Sequence, residues 1–338
     1  MFRRSKFAAL WVALLFAVSP VAWADKVMDM AKKEGKVVWY SSLSLPIAQE
    51  VCNAYNAKHT GIECVLHRSG SGKLYNRWRN EAKSGIYEAD VLHTSNIGHF
   101  VSLRKAKAII EYAPKGIDRY NPNFVEKNHY WHVLRASVYA PAYNSEKVTA
   151  ADAPKTWKDL LDPKWKGKAV IAHPAYSGFV SVGLAGLVQV FGWDFIDKLA
   201  GGKPRIVQSS VDTTLYVARG EELVADGSGL YNDFDAIKKG EPLKVVYPPK
   251  GVPFIASAQA IFAKAPHPNA AKVFSDWLFS TEAQQMLANH GLYSGDPDVK
   301  YPKGLKPLND IKLIIVTPEK SVEMRDPIRK RFREKFGV

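Results

Sequence analysis

Short apolar stretches alternate with longer amphipathic ones along this chain, and almost every apolar stretch runs into serine, threonine or glycine. Lys36–Tyr40 reads as a strand. Pro46–His59 reads as a helix, with Ile47, Val51 and Tyr55 on one stripe and Gly61 closing it. Ile62–His67 is a second strand, Lys73–Lys83 a helix and Asp90–His93 a third strand. This β-α-β-α-β order predicts an α/β fold, an open sheet with helices on both faces. The second half repeats the pattern, with strands at Ala169–Ala172, Arg205–Val207 and Leu223–Ala225. Between them lie a nearly all-apolar helix, Ser177–Phe191, and a helix over Asp212–Arg219. Phe254–Phe262 then returns as a strand, followed by helices over Asn269–Phe279 and Thr281–His290, the latter N-capped by Ser280. The 338 residues suit about two domains. Two α/β units with a return crossing predict two lobes and a cleft.

Open α/β sheets bind ligands beyond the carboxyl ends of their strands. Six such ends carry hydroxyls here: Ser41-Ser42-Leu43-Ser44, Arg68-Ser69-Gly70-Ser71-Gly72, Thr94-Ser95-Asn96, His173 to Gly178, Gln208-Ser209-Ser210 and Asp226-Gly227-Ser228-Gly229. One such cluster signals only a helix cap. Six in register describe helix N-termini gathered with hydroxyls, a setting for anionic oxygens. Arg68, Lys73, His93 and His173 lie close in sequence to these ends.

The first 24 residues fit an export signal. Arg3, Arg4 and Lys6 precede the apolar run Phe7–Val18, and Ala22-Trp23-Ala24 supplies a small-x-small cleavage site. The run is shorter than the ~20 residues of a spanning helix. The leader carries three basic residues and no acid, so cleavage lowers the net charge from +14 to +11. A basic exported protein suits small anions, acidic surfaces or nucleic acid. The one basic run, Arg325–Lys335, reads as a solvated helix face, and no zinc or RNA-binding motif accompanies it, so no nucleic-acid partner is expected. Enzyme signatures are missing: no G-x-S-x-G, no complete P-loop around Gly72-Lys73, no dinucleotide fingerprint and no H-E-x-x-H. His129 and His132 read as packing against aromatic neighbours. Cys52 and Cys64 face two readings, a disulfide in an oxidising compartment or two buried thiols.

Several segments carry a resemblance. Val37-Val38-Trp39-Tyr40-Ser41-Ser42, Ala89-Asp90-Val91, Ala142-Tyr143-Asn144, Lys155 to Lys168, Ser177-Gly178, Arg219-Gly220-Glu221 and Ala270 to Gln284 together resemble the periplasmic solute-binding proteins of ABC importers, in the branch of the ferric-ion-binding proteins (extracellular solute-binding protein family 1). The resemblance covers most of the mature chain. It implies the two-lobe, type II periplasmic-binding fold, a hinge between two open α/β sheets and closure around ligand. It places lobe one at about 25–140 with 252–290, lobe two at 141–251, and the tail 291–338 on lobe two. It also implies a monomer that docks on an inner-membrane permease.

The resemblance further implies a site. The family's iron-binding His position falls on Ser44, its Glu on Ser95 and its tyrosine pair on Leu230-Tyr231. One phenolate does not hold a hard trivalent cation. The positions that hold phosphate beside the metal fall near Ser177, Gly178, Ser210 and Ser228. The expected ligand is thus a small organic anion, a phosphate ester, phosphonate or carboxylate, with no cofactor. Ser177, Gly178, Ser210 and Ser228 face it from lobe two, and Ser42, Ser69, Gly70, Ser71, Ser95 and Asn96 from lobe one, with Tyr139 and Tyr231 against its organic part. The alternative is ferric ion on Tyr231, Tyr176, His93 and Asp226. An alternative of another class, a periplasmic enzyme on the same scaffold, would need a nucleophile in the cleft.

Overall fold

The computed structural model describes residues 20–338, so most of the expected export signal, residues 1–19, lies outside the described residues. The chain opens with α1 (Pro20–Glu34), β1 (Lys36–Ser41), α2 (Leu45–Lys58), β2 (Glu63–Arg68), α3 (Ser71–Lys83), β3 (Val91–Thr94) and α4 (Ile97–Lys105). Alternate burial drives these elements. Ile47, Val51 and Tyr55 of α2 are buried against the sheet, and β1 is buried from Val37 onward. The order of pairing is β2-β1-β3, all parallel. Cys52 of α2 and Cys64 of β2 form a disulfide with Cα atoms 5.4 Å apart, inside the usual bridging range. The disulfide reading is the one realised.

β4 (His132–Asn144) then leaves this sheet for the next and is buried along all 13 residues. The second unit holds β5 (Ala169–Ala172), α5 (Gly178–Phe191), α6 (Trp193–Gly201), β6 (Arg205–Val207), α7 (Ser210–Ala218), β7 (Val224–Gly229), α8 (Leu230–Lys238) and β8 (Leu243–Val245). β5 pairs in parallel with β6 and β7. The return strand is β9 (Val252–Ile261), followed by α9 (Pro268–Leu278), α10 (Thr281–Asn289), β10 (Leu313–Ile314) and α11 (Pro318–Phe336).

β4 serves both sheets. His132–Val138 pairs with β9, which also pairs with β3, whereas Tyr139–Tyr143 pairs with β7. Two α/β lobes therefore share one continuous strand, and the architecture is the expected two-lobe type II binding fold. Among the described residues, no single helix is long and apolar enough to cross a membrane.

Two expectations change. β7 runs on to Gly229, because Ser228 and Gly229 pair with Ala140 and Tyr139. Asp226–Gly229 is therefore buried strand and not a loop beyond a strand end. The tail also takes a wider course than lobe two. Ala136 of β4 and Tyr293 exchange backbone hydrogen bonds of 2.7 and 2.8 Å. α11 then buries Ser321, Met324, Ile328 and Phe332 on one stripe, and its basic residues occupy the remaining sides. Ser321 Oγ donates to Asn96 Oδ1 of lobe one at 3.0 Å, while Arg331 pairs with Asp197 of α6 and Phe332 meets the His173 ring at 4.9 Å.

Candidate functional site

The carboxyl ends of both sheets point at one another across a cavity of about 20 Å³. Lobe one supplies Ser42 after β1, Arg68 and Gly70 at the end of β2, Ser71 opening α3, and Ser95 after β3. Lobe two supplies Tyr176, Ser177 and Phe179 at the start of α5, Gln208 to Val211 at the start of α7, and Tyr231 on α8. Three helices of nine residues or more, α3, α5 and α7, thus begin at this cavity. Their first N–H groups and dipoles favour negative charge there.

The hydroxyls are poised as donors. Ser177 Oγ accepts from Val180 N–H at 3.3 Å and Ser209 Oγ accepts from Val211 N–H at 3.2 Å. A hydroxyl that caps a helix by accepting keeps its own proton to give. Ser71 Oγ accepts from Ser95 N–H at 3.1 Å across the first lobe. Ser95 Oγ accepts from Ser257 at 3.1 Å and from Arg135 Nη2 at 3.3 Å, and lies 3.4 Å from Ser42 Oγ.

Arg135 is the residue that sequence reasoning missed. It stands on β4 beside an irregularity in the pairing with β9 and is 1% exposed. Its guanidinium carbon lies 5.0 Å from the centre of the Tyr231 ring. Apart from the bond to Ser95, its Nε and Nη1 find no partner among the described residues. Burial disfavours its charged form and lowers its pKa. An unpaired buried charge costs several kcal/mol. The local signal was a lone arginine inside the apolar stretch His132 to Ala140.

Of the residues expected at the site, Ser42, Gly70, Ser71, Ser95, Ser177, Ser210 and Tyr231 line the cavity. The others do not. Ser69 extends the β1–β2 pairing by donating its N–H to Ser41 at 3.3 Å. Asn96 caps α4, accepting from Gly98 N–H at 3.0 Å, and accepts from Ser321. Gly178 packs the lobes together: a Cβ there would lie 2.7 Å from Ser71 Cβ. The Tyr139 ring is buried in lobe two, stacked on Trp157 at 6.0 Å. Ser228 is fully buried in β7 and donates to the Asp233 carboxylate and the Ala140 carbonyl.

The four oxygen and nitrogen ligands suggested for iron are not brought together. Tyr176 and Tyr231 reach the cavity, whereas His93 and Asp226 are not among its lining residues. His93 is fully buried, with Nδ1 3.0 Å from Ser41 Oγ, and is held neutral by burial and by Arg135. Asp226 is buried, and desolvation pushes its carboxyl up to about 8. Among the described residues no cluster of three or more His, Cys, Asp and Glu is placed to hold a metal.

Residues 89–309 match the family model of the bacterial extracellular solute-binding proteins. Among curated proteins, the chain is 25% identical over 304 residues to a periplasmic protein of Salmonella typhimurium named for 2-aminoethylphosphonate binding, covering 84% of this chain and 83% of that one. Among solved structures, it is similar to the periplasmic binding protein AfuA of Actinobacillus pleuropneumoniae with exogenous fructose-6-phosphate bound. The TM-score is 0.81 at 21% identity, covering 90% of this chain and 99% of that one. It is also similar to iron-bound HitA of Pseudomonas aeruginosa, with a TM-score of 0.77 at 22% identity, covering 90% and 99%.

Proposed function

Since this chain belongs to the bacterial extracellular solute-binding proteins, the periplasmic substrate-binding components of ABC transporters, we propose that it captures a small organic anion between its lobes for delivery to a permease. Phosphate esters, phosphonates and carboxylates fit the site. The observation that carries this reading is Arg135, a guanidinium 1% exposed and without a carboxylate partner, set directly behind the cavity wall. An anion in the cavity supplies the missing counter-charge, and Ser177, Ser209 and Ser210 offer hydroxyls from the opposite lobe. The cavity holds little more than one water as it stands, so a ligand enters as the lobes part about the strand they share. The same guanidinium repels a trivalent cation. It thus counts against ferric ion, although the HitA structure is iron-bound, and for a phosphorylated ligand of the kind in the AfuA structure.

The test is calorimetric titration of the wild type and Arg135→Met with inorganic phosphate, phosphate monoesters and ferric citrate. The wild type should bind a phosphate species, and Arg135→Met should weaken that binding by about a hundredfold or more. The variant's unfolding midpoint should hold or rise, because an unpaired buried charge has been removed. Ferric binding by the wild type, with anion affinity indifferent to Arg135→Met, would overturn the reading.

A further inference from the structure

Resting on the anion reading above, we propose that the cavity selects anions whose remainder carries no positive charge, and rejects zwitterions that join an ammonium group to the anion. The charge around the cavity is one-sided. Arg135 stands behind Ser95 and Tyr231. Arg68 lies in the wall, anchored through Nε to the Leu43 carbonyl at 3.0 Å. Lys73 holds the rim, its Nζ 3.1 Å from Gln208 Oε1. Among the described residues, no carboxylate lines the cavity.

The acids closest in sequence to the wall are committed elsewhere. Asp212 accepts from Ser209 N–H at 3.0 Å in the cap of α7. Asp233 accepts from Thr214 at 2.6 Å and from Ser228. Asp226 is buried outside the cavity wall, and its raised pKa leaves it uncharged at neutral pH. The aromatic rings offer no substitute. Tyr231 already faces the Arg135 guanidinium, and Tyr176 already faces Lys73 Nζ at 5.2 Å. Both rings are therefore occupied by the protein's own cations. An entering ammonium group would lose its water, meet two guanidiniums and find only neutral acceptors. Similarity to a protein named for 2-aminoethylphosphonate binding therefore does not carry that ligand over to this cavity.

The experiment uses the full mature chain and two matched pairs of probes at neutral pH. Propylphosphonate is compared with 2-aminoethylphosphonate, and 2-hydroxyethyl phosphate with phosphoethanolamine. Within each pair the size is nearly constant and the ammonium group is the difference. The ammonium member should bind about thirtyfold more weakly or worse in both pairs. Ser210→Asp, which places a carboxylate in the wall, should narrow both gaps. Equal or tighter binding of the ammonium members to the wild type would overturn this inference and leave anion capture standing. No binding of any of the four, nor of inorganic phosphate, would overturn capture of a phosphate or phosphonate and this inference with it.

Discussion

Gly70 sits where the two lobes come into close contact. Its backbone, φ −65° and ψ 148°, is ordinary extended conformation that alanine adopts freely. A Cβ at this position would nevertheless collide with the Tyr176 carbonyl of the other lobe. Glycine here serves the approach of the lobes and not a turn. Gly70→Ala should therefore leave each lobe folded while holding the lobes apart. Small-angle scattering with added ligand should show a radius that stays large in the variant and shrinks in the wild type. Equal compaction would mean that the lobes do not need this contact. The residue scale also explains what the serines hid. Caps, strand bonds and cavity donors are the same residue type, and only the partner atom separates Ser177 from Ser228.

Among the elements, α11 links most distant parts. It fastens to lobe one through Ser321 and Asn96 and to lobe two through Arg331 and Asp197. Phe332 is its fully buried anchor, stacked on Phe336 at 4.0 Å and edge-on to His173. Phe332→Ala should cost about 3–5 kcal/mol, read as a lowered urea midpoint. A loss of a few tenths would mean that the helix rests on the surface without supporting it. The amphipathic period of α11 was partly masked in the sequence, because charged residues surround the four buried positions. α2 and β1, by contrast, were readable, since their apolar spacing matches one helical stripe and one buried strand.

The molecule as a whole carries buried acids that should shape its response to pH. Burial pushes Asp226 up to about 8 and Asp233 to about 7, the latter although Ser228 and Thr214 donate to it. Unfolded carboxyls titrate near 4, so between those values the folded state binds more protons. Stability contributed by these two groups is then lost as pH rises toward 8. The buried histidines His93, His99 and His132 act oppositely. They are neutral in the fold and gain protons on unfolding below about pH 6.5. Above that pH the histidine effect fades and the carboxyls dominate. Stability should fall by roughly 2 kcal/mol from about pH 6.5 to about pH 8.5, and Asp226→Asn should flatten most of that slope. Urea unfolding at the two pH values decides it, and a level wild-type profile would show Asp226 already ionised in the fold.

The amino-acid order alone determined the alternation of strands and helices, the two-unit plan, the caps and the pairing partners available to Cys52 and Cys64, because these follow from steric preference and periodicity within a few residues. It brought seven of the twelve expected ligand residues to the cavity wall, since strand ends in an open sheet necessarily converge. Tertiary structure alone decided the rest. Asp226–Gly229 became strand because β4 lay alongside to pair with it. Arg135 became a buried charge behind the cavity wall because the sheets and Tyr231 closed around it, leaving Ser95 as its hydrogen-bond partner. Desolvation of a charge is set by neighbours hundreds of residues apart in the chain as readily as by adjacent ones, so no local pattern can report it.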